Sequence, residues 1–401
     1  MPSAPANRSH AGVTFRVGTF YDGTLAKARR NVDVTIADGR VLSVEEGAEG
    51  GEHLRRVPCM TPGLTNAHVH LEGSGEAASQ DAWSRSTPNE RVISAVANAR
   101  KSLYAGVTSI RDLGCSGGTA MSVAAAIAEG RIEGPRIASA GAVICMTGGH
   151  GWFLGRQVDS PWEARKAVRE QLLAGATCIK FIATGGVLTR GAVPGNAQLT
   201  PEELAAGVDE AHRHGMRCAA HAIGTLGIKN ALRAGIDSIE HGHMLDDEAI
   251  ELFKANGAYL VPTLTAPTCI LEHADDGKQP EWALQKARTV AEEMQRNIAR
   301  AYRAGVKIAG GSDAGTPYNF HERYAYEIEL MHRLLGMSPQ EALHAATAVA
   351  SELVGLTSGT LAPGEPADLL FLESDIADDL STLYQPLAVM KDGALLFDRA
   401  R

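Results

Sequence analysis

The chain has 401 residues, of which 44% are hydrophobic and 21% charged, so neither a disordered nor a fibrous protein is indicated. Its formal net charge of −9 argues against nucleic acid or an anionic membrane as a partner, and a small-molecule substrate is therefore expected. The length permits two or three domains, or one barrel with an appended unit.

The N-terminal segment and the cysteines indicate a cytoplasmic protein. Residues 1–10 lack a basic stretch followed by an apolar run, so no secretory signal is visible. No window of the sequence approaches about 18 uninterrupted apolar residues. The six cysteines are scattered without short paired spacings, so we expect reduced, mostly buried residues rather than disulfides or a zinc knuckle.

Both ends of the chain are predicted to form β structure. Before residue 60, short alternating segments are interrupted twice by Asp-Gly, which is a hairpin signal. The same pattern returns in residues 367–372 and 387–397. We expect residues 1–60 and 357–401 to pair into one small β-sandwich, because the ends of a chain that carries an inserted domain are often close in space.

The middle of the chain, residues 61–356, is predicted to form a (β/α)8 TIM barrel. Short apolar runs alternate there with helical patterns at intervals typical of βα units. The eight predicted strands are 61–66, 107–112, 137–143, 177–182, 216–221, 237–241, 258–264 and 306–313. Predicted helices between them include 88–104, 161–174, 201–214 and 246–255. A doubly wound open sheet is the structural alternative, but no glycine-rich dinucleotide fingerprint follows the first strand.

Several predicted strands end in histidine or aspartate, at the face where barrel enzymes place their chemistry. His68 and His70 are two positions apart, so an extended chain directs both side chains to the same side. His221, His241 and Asp313 end three further strands. Each also has a structural interpretation, for example a core histidine at position 221 or a helix cap at position 313.

Lys180 lies inside the apolar fourth strand. An unpaired lysine in such a strand costs several kcal/mol or loses its proton, so it needs a partner or a modification. Glu240 is expected either to orient a ligand or to form an ion pair inside the barrel. Four imidazoles, a lysine and an aspartate at one rim together predict a site for zinc or a similar divalent ion, with room for two ions.

The remaining histidines are interpreted without a metal. His243 is expected to be an exposed loop histidine or to orient a ligand. Ordinary loop or helix-surface positions are expected for His10, His53, His212, His214, His273, His321, His332 and His344.

With these residues the sequence resembles the metal-dependent amidohydrolase superfamily. The residues that match the pattern of this superfamily are His68-Val69-His70, Lys180, His221, His241 and Asp313. The resemblance implies two zinc ions bridged by a carboxylated Lys180. His68, His70 and Asp313 would hold the more buried ion, and His221 and His241 the other. It also implies hydrolysis by a metal-activated hydroxide, with Asp313 taking the proton from water and passing it to the leaving amine.

A narrower resemblance rests on Thr-Gly-Gly-His-Gly at 147–151 and on the segment 183–204. These stretches look like the Xaa-Pro dipeptidases and the Xaa-Arg or Xaa-Lys carboxypeptidases. The likeness implies cleavage of the amide bond of dipeptides or N-acyl amino acids. His150 would then face the substrate carbonyl or carboxylate, and Arg190 is a candidate for binding the carboxylate, although ordinary loop structure is an equal alternative for Arg190.

Two other functions stay open at the level of the sequence. One is hydrolysis of another C–N bond, in a cyclic amide, a carbamate, a urea or an imidazolone; a deaminase is disfavoured because such relatives usually lack the lysine. The other is a non-enzymatic binding or assembly module. Such barrels often assemble, so a homo-oligomer is expected.

Replacement of Lys180 tests the carboxylated lysine. The variant Lys180→Ala is expected to lose bound metal and activity, because the bridging carbamate cannot form, and added short carboxylates are expected to restore part of both. Metal analysis and turnover measurements check this. Full metal content and full rate in the variant would show that Lys180 is only a core residue.

Overall fold

The computed structural model describes residues 12–47 and 55–399. The segment 1–10, including His10, and the residue His53 lie outside the described residues, so the expectations for them stand as sequence predictions. Within the described ranges, no helix is both long and apolar enough to cross a membrane. All six cysteines are free and buried, as predicted.

Strands from both ends of the chain form one seven-stranded sheet. They are β1 (Val13–Phe20), β2 (Arg29–Ala37), β3 (Arg40–Glu46), β4 (Arg55–Pro62), β15 (Leu369–Leu372), β16 (Ala388–Lys391) and β17 (Ala394–Asp398). Their order is β17-β16-β15-β4-β1-β2-β3, with β4 parallel to β1 and antiparallel to β15. The predicted pairing of the two ends is therefore present. The predicted sandwich is not confirmed, because these strands belong to one hydrogen-bonded sheet.

The two ends share an apolar core. Along β2, buried Val32, Val34 and Ile36 alternate with more exposed residues, which is the pattern of a strand with one covered face. The rings of Phe15 in β1 and Phe371 in β15 lie 4.9 Å apart between centroids. Burial of these side chains from distant parts of the sequence stabilises the pairing of the ends.

The middle of the chain is an α/β unit with parallel strands. The first of two parallel sheets consists of β5 (Leu64–Val69), β6 (Val107–Asp112) and β7 (Arg136–Ser139). The second consists of β8 (Val143–Cys145), β9 (Gly155–Gln157), β10 (Cys178–Ile182), β11 (Arg217–Ala222), β12 (Ser238–His241), β13 (Tyr259–Val261) and β14 (Lys307–Ile308), in the order β14-β13-β12-β11-β10-β8-β9. Every residue of β5, β6 and β10 is buried, as expected for parallel strands covered on both faces.

The helices of the described chain mostly connect these strands. They are α1 (Ser79–Arg85), α2 (Pro88–Tyr104), α3 (Thr119–Ala128), α4 (Pro161–Ala174), α5 (Pro201–Arg213), α6 (Thr225–Arg233), α7 (Asp247–Asn256), α8 (Thr265–Glu272), α9 (Glu281–Arg303), α10 (Ala325–Leu335), α11 (Pro339–His344) and α12 (Ala350–Val354). The helices predicted at 88–104 and 161–174 have the predicted bounds. Proline at the first helical position and a capping hydroxyl at Thr87, Ser160 and Thr200 fix where α2, α4 and α5 begin.

Three predicted strands are interrupted in the structure, the first of which, 61–66, is divided at Gly63 between β4 and β5. The predicted strand 137–143 is split into β7 and β8, since Gly141 between them adopts a left-handed backbone with φ of 66°. The predicted strand 306–313 is regular only in β14. Beyond it the chain still bonds to β5, with Ala67 N donating to Gly310 O at 3.0 Å and Asp313 N donating to His68 O at 2.8 Å.

A short junction at Gly63 connects the end sheet to the parallel strands. β4 ends at Pro62 and β5 begins at Leu64, so one extended segment passes from one sheet to the other. A Cβ atom on Gly63 would lie 2.3 Å from Oγ1 of the buried Thr108. The absence of a side chain at this position therefore permits the close packing of β5 against β6.

The substitution Gly63→Ala is expected to lower the free energy of unfolding by about 1–3 kcal/mol, because the new methyl group overpacks a buried contact. The urea midpoint, read by circular dichroism, measures this change. Gly195→Ala is the matched control, since a Cβ there meets only Met244 Sδ at 3.9 Å. Equal midpoints for the two variants would contradict the packing argument.

Candidate metal centre

Seven predicted site residues line one cleft that opens to solvent. They are His68, His70, His150, Lys180, His221, His241 and Asp313. His68 lies in β5, Lys180 in β10, His221 in β11 and His241 at the end of β12. His70 directly follows β5, and Asp313 lies in the irregular segment after β14. The C-terminal ends of parallel strands bring them together, as predicted.

His68, His70 and Asp313 form the tightest group. Asp313 Oδ1 lies 3.3 Å from His68 Nε2 and 3.2 Å from His70 Nε2. One donor atom from each of the three residues lies within 4.8 Å of the other two. Two imidazoles and a carboxylate in this arrangement are a ligand set that divalent zinc accepts.

Asn66 holds the chain segment that carries Asp313. Its Oδ1 accepts a hydrogen bond from Ser312 N at 3.0 Å, and its Nδ2 donates to Ser312 Oγ at 2.7 Å. Asn319 Nδ2 donates to the carbonyl oxygens of Ser312 and Asp313. These bonds fix the carboxylate beside the two histidines.

Lys180 is 2% exposed, with its Nζ 3.5 Å from His68 Nε2. Burial lowers the pKa of Lys180 to about 8, although the charges of Glu240 and Asp313 oppose that change. The ammonium group thus lies among candidate ligands in an apolar strand, which is the unfavourable position that the sequence indicated.

The imidazole rings form a continuous series of contacts. The ring centroids of His68 lie 5.3 Å from His70 and 5.4 Å from His241. Those of His221 lie 4.5 Å from His241 and 4.4 Å from His150. Five imidazoles therefore line the floor of the cleft side by side.

Several of these histidines have one ring nitrogen committed to a protein oxygen. His70 Nδ1 is 3.1 Å from Gly114 O, and His221 Nε2 is 3.0 Å from Gly185 O. A carbonyl oxygen only accepts, so each of these nitrogens carries the proton and the other nitrogen keeps its lone pair. This is the arrangement by which proteins orient histidine ligands of metals.

His241 is oriented in the same way by Thr263. His241 Nδ1 is 2.7 Å from Thr263 Oγ1, which itself donates to Pro262 O at 2.8 Å. Because the hydroxyl proton is used for Pro262, the hydroxyl oxygen accepts from His241 Nδ1, and His241 Nε2 stays free.

The protonation of the site follows from burial and from its own charges. Burial lowers the pKa of His68 to about 4 and those of His221 and His241 well below their usual value, so these rings are neutral at pH 7. Burial alone would also lower the pKa of His70, but contact with Asp313 raises it. Burial alone would raise the pKa of Asp313, but the neighbouring His68 and His70 lower this pKa below its usual value. The carboxylate is therefore ionised.

Glu240 connects His68 to a buried arginine. Its Oε1 accepts from Arg111 at 2.9 Å and from Ser238 Oγ at 2.6 Å. Its Oε2 lies 2.9 Å from His68 Nδ1, without normal hydrogen-bond geometry. Burial raises the pKa of Glu240, but Arg111 and His68 outweigh burial and bring it to about 2. Glu240 is therefore an anion that forms a buried ion pair with Arg111, which is one of its two predicted roles, and its other oxygen faces His68.

Residues at the strand ends adopt uncommon backbone conformations. His241, Thr263 and Asp313 have positive φ angles of 74°, 49° and 59°. A non-glycine residue in this region costs about 1–3 kcal/mol, and such residues cluster at functional sites. The surrounding hydrogen bonds hold the side chains in these orientations.

His150 lies in the loop after β8 and closes one side of the site. Its Nδ1 is 2.7 Å from Thr189 Oγ1, and burial lowers its pKa to about 4. Lys286 Nζ in α9 donates to Thr189 O at 2.8 Å and so fixes the same loop. The loop after β10 thus supports His150 from behind.

Two candidates differ from their expected environments. Arg190 is exposed and is not among the described residues that line the cleft, so its binding role stays a prediction. The expectation of an exposed His243 was wrong: His243 is 2% exposed, lines the cleft and donates through Nε2 to Pro262 O at 3.0 Å. The chain turns inward after His241 because Gly242 has a left-handed backbone with φ of 63°.

Sequence reasoning missed Arg111, although a signal for it was present. Arg111 is a charged residue inside the fully buried strand β6, which is the signal that identified Lys180. Thr263 carries no comparable signal, because its role depends on the loop that follows β13.

A second group of possible ligands differs in kind. Donor atoms of His212, Cys218 and Asp237 also lie within 4.8 Å of one another. However, Asp237 Oδ2 already accepts from His212 Nε2 at 2.9 Å and from Cys218 N at 2.7 Å. The protein itself satisfies this carboxylate.

The chemistry of the first group fits a metal ion. Imidazole nitrogens that converge with an ionised carboxylate are ligands that a divalent cation accepts, and neighbouring oxygens already orient the rings.

Comparison with known proteins gives a consistent result. A model of the amidohydrolase family matches residues 59–396. Ochratoxinase of Aspergillus niger is 33% identical over a 404-residue alignment, and the alignment covers 90% of this chain and 81% of the ochratoxinase. The structure of a Xaa-Pro dipeptidase with methionine bound in its active site has a TM-score of 0.89 and 32% identity, covering 97% of this chain and 100% of that one. A prolidase in complex with N-methylphosphonate-L-proline has a TM-score of 0.87 and 27% identity, with coverages of 97% and 100%.

Replacement of Thr263 tests how His241 is oriented. Thr263→Val is expected to weaken metal binding about 10–100-fold, because His241 Nδ1 loses its acceptor. Equilibrium dialysis with zinc measures the affinity. Thr263→Ser, which keeps the hydroxyl group, is expected to bind as the parent does; equal losses in both variants would remove this role from the hydroxyl.

Proposed function

The chain belongs to the amidohydrolase family and is a hydrolytic enzyme acting on C–N bonds, and on this premise we propose that it cleaves the amide bond of dipeptides or N-acyl amino acids. The observation that carries the proposal is the group of Asp313, His68 and His70 at the floor of an open cleft. Proteins named as a Xaa-Pro dipeptidase, a prolidase and an ochratoxinase support it by their similarity over most of the chain.

We propose two zinc ions as the cofactor. His68, His70 and Asp313 would hold one, His221 and His241 the other, and a carboxylated Lys180 would bridge them. When bound, a zinc ion would lower the pKa of a water molecule and polarise a carbonyl group. The fit of Lys180 rests on its position, 3.5 Å from His68 and enclosed by an apolar strand, where an anionic carbamate would replace a buried ammonium.

The residues of the chain then have distinct tasks. The ionised carboxylate of Asp313 accepts a proton from the attacking water and delivers it to the nitrogen of the leaving amine. His150, held by Thr189, hydrogen-bonds to the substrate carbonyl or carboxylate. Glu240 and Thr263 keep two imidazoles in position from outside the cleft.

We also propose that the two parallel sheets belong to one (β/α)8 barrel, in which β7 and β8 together form the third of eight strands and β9 is an additional edge strand. Hydrogen bonds at both junctions support this. Thr177 N donates to Ser139 O at 2.8 Å between β7 and β10, and Ala67 N donates to Gly310 O between β5 and the segment after β14. Cytoplasmic location and assembly into a homo-oligomer remain predictions from the sequence.

A panel of substrates tests the proposed reaction. The purified protein is expected to hydrolyse N-acyl amino acids or dipeptides, to lose activity on chelation and to regain it with zinc and bicarbonate. Cyclic amides, carbamates, ureas and imidazolones form the competing set. Turnover of only that set would favour the alternative reaction, and turnover of none of the compounds after metal supplementation would refute the proposal.

The variant Asp313→Asn is expected to lower kcat by about 10²–10⁴-fold, because the proton acceptor is lost. Asp247→Asn is the matched control, since the side chain of Asp247 is 90% exposed. A rate near that of the parent in Asp313→Asn would assign proton transfer to another residue.

A further inference from the structure

An apolar wall stands beside His70. It consists of Trp83, Val143, Phe153, Leu154 and Ile182, which line the cleft and form one packed cluster. The rings of Trp83 and Phe153 meet edge to face at 5.6 Å, and the ring of Trp83 lies 5.5 Å from that of His70. We call this cluster the aromatic wall.

The aromatic wall is rigidly anchored from behind. Trp83 Nε1 donates to Glu72 Oε2 at 2.6 Å. The same carboxylate accepts from Ser116 N at 3.0 Å and from Ser116 Oγ at 2.7 Å. The polar edge of Trp83 is thus satisfied inside the protein, and the indole can offer apolar surface to the cleft.

A second apolar wall stands beside His150. Val187, Leu188 and Ile270 line the cleft and pack in a different cluster from the first. Leu188 directly precedes Thr189, whose hydroxyl group contacts His150. We call these residues the aliphatic wall. The two walls therefore adjoin the first and last imidazoles of the series that runs from His70 to His150.

Charged side chains are scarce along the described lining of this cleft. Apart from the histidines, its only charged members are Lys180 and Asp313, which belong to the proposed metal centre. A cationic substrate side chain lying against either wall would lose water without gaining a carboxylate partner, which is unfavourable.

From these walls we infer the substrate class: amides with a bulky apolar group on each side of the scissile bond, one against the aromatic wall and one against the aliphatic wall. This inference rests on the proposed amide hydrolysis. It separates the chain from the preference for arginine or lysine that is one part of the narrower resemblance. Desolvation of apolar groups by both walls favours binding, while cationic side chains are rejected.

Three N-acyl amino acids test the inference on the zinc-loaded enzyme. N-benzoyl-L-phenylalanine is expected to have a kcat/KM at least about tenfold above those of N-benzoyl-L-arginine and N-acetylglycine, as pocket contacts of this size produce. If the arginine compound or N-acetylglycine is hydrolysed as well as the phenylalanine compound, the inference is overturned and the amide hydrolase proposal stands. If no compound is hydrolysed here or among the dipeptides, the proposed function itself fails.

Variants with adjacent controls locate the effect in the walls. Phe153→Ala and Leu188→Ala are expected to lower the ratio of kcat/KM for N-benzoyl-L-phenylalanine over N-acetylglycine about tenfold. Trp152→Ala and Val193→Ala are the controls, since both side chains are 51% exposed and neither is in the cleft lining. An unchanged ratio in the wall variants, or an equal change in the controls, would overturn the assignment.

A variant that gains activity tests the inference without relying on variants that lose activity because they fold poorly. Leu188→Glu is expected to raise kcat/KM for N-benzoyl-L-arginine about tenfold, because the half-buried position then offers a carboxylate to the guanidinium. Val193→Glu is the matched control in the same loop. No gain in Leu188→Glu, with an unchanged thermal midpoint, would place the arginine side chain away from the aliphatic wall and contradict the inference.

Discussion

The buried ion pair of Arg111 and Glu240, which faces His68, is the interaction on which the candidate centre depends. The three residues come from β6, β12 and β5, and each is at most 1% exposed. A charge buried at this depth is tolerated only when its partners are present, and loss of one partner leaves the others uncompensated. Arg111 Nε also donates to Ala67 O at 2.7 Å, which ties the arginine to the strand that bears His68. The orientation of the first ligand is thereby coupled to the packing of strands that are far apart in the sequence.

Much of the candidate centre was predictable because its candidate ligands lie near strand ends. Two-residue spacing predicted a common direction for His68 and His70, and an apolar strand made Lys180 conspicuous. The environment of His243 was not predictable, since it depends on how Gly242 turns the chain. The loop that contains Arg190 has no periodicity, so its residue types alone did not predict which side chains line the cleft. Val187 and Leu188 line the cleft, whereas Arg190 is not among the lining residues.

The fold shows a similar division. Alternating apolar and polar residues before residue 60 predicted antiparallel strands, and the spacing of short apolar runs and helical patterns predicted parallel strands such as β6. Alternation does not tell whether strands hydrogen-bond in one sheet or pack as two, so the sandwich expected from the chain ends was not a necessary consequence of the pattern. The interruption at Gly141 was missed because a single residue with a left-handed backbone leaves the apolar pattern almost unchanged.

The pairing of β4 with β15 has a consequence for synthesis of the protein on the ribosome. β4 leads through Gly63 into the strand that bears His68, yet its neighbour Leu369–Leu372 is translated about 300 residues later. Contacts between such distant segments form late and slowly, because a long loop must first close. The nascent chain thus presents an unpaired edge of β4 during most of translation, and the segment that begins the centre is completed among the last parts of the molecule. A chaperone that covers exposed strand edges would act during this interval.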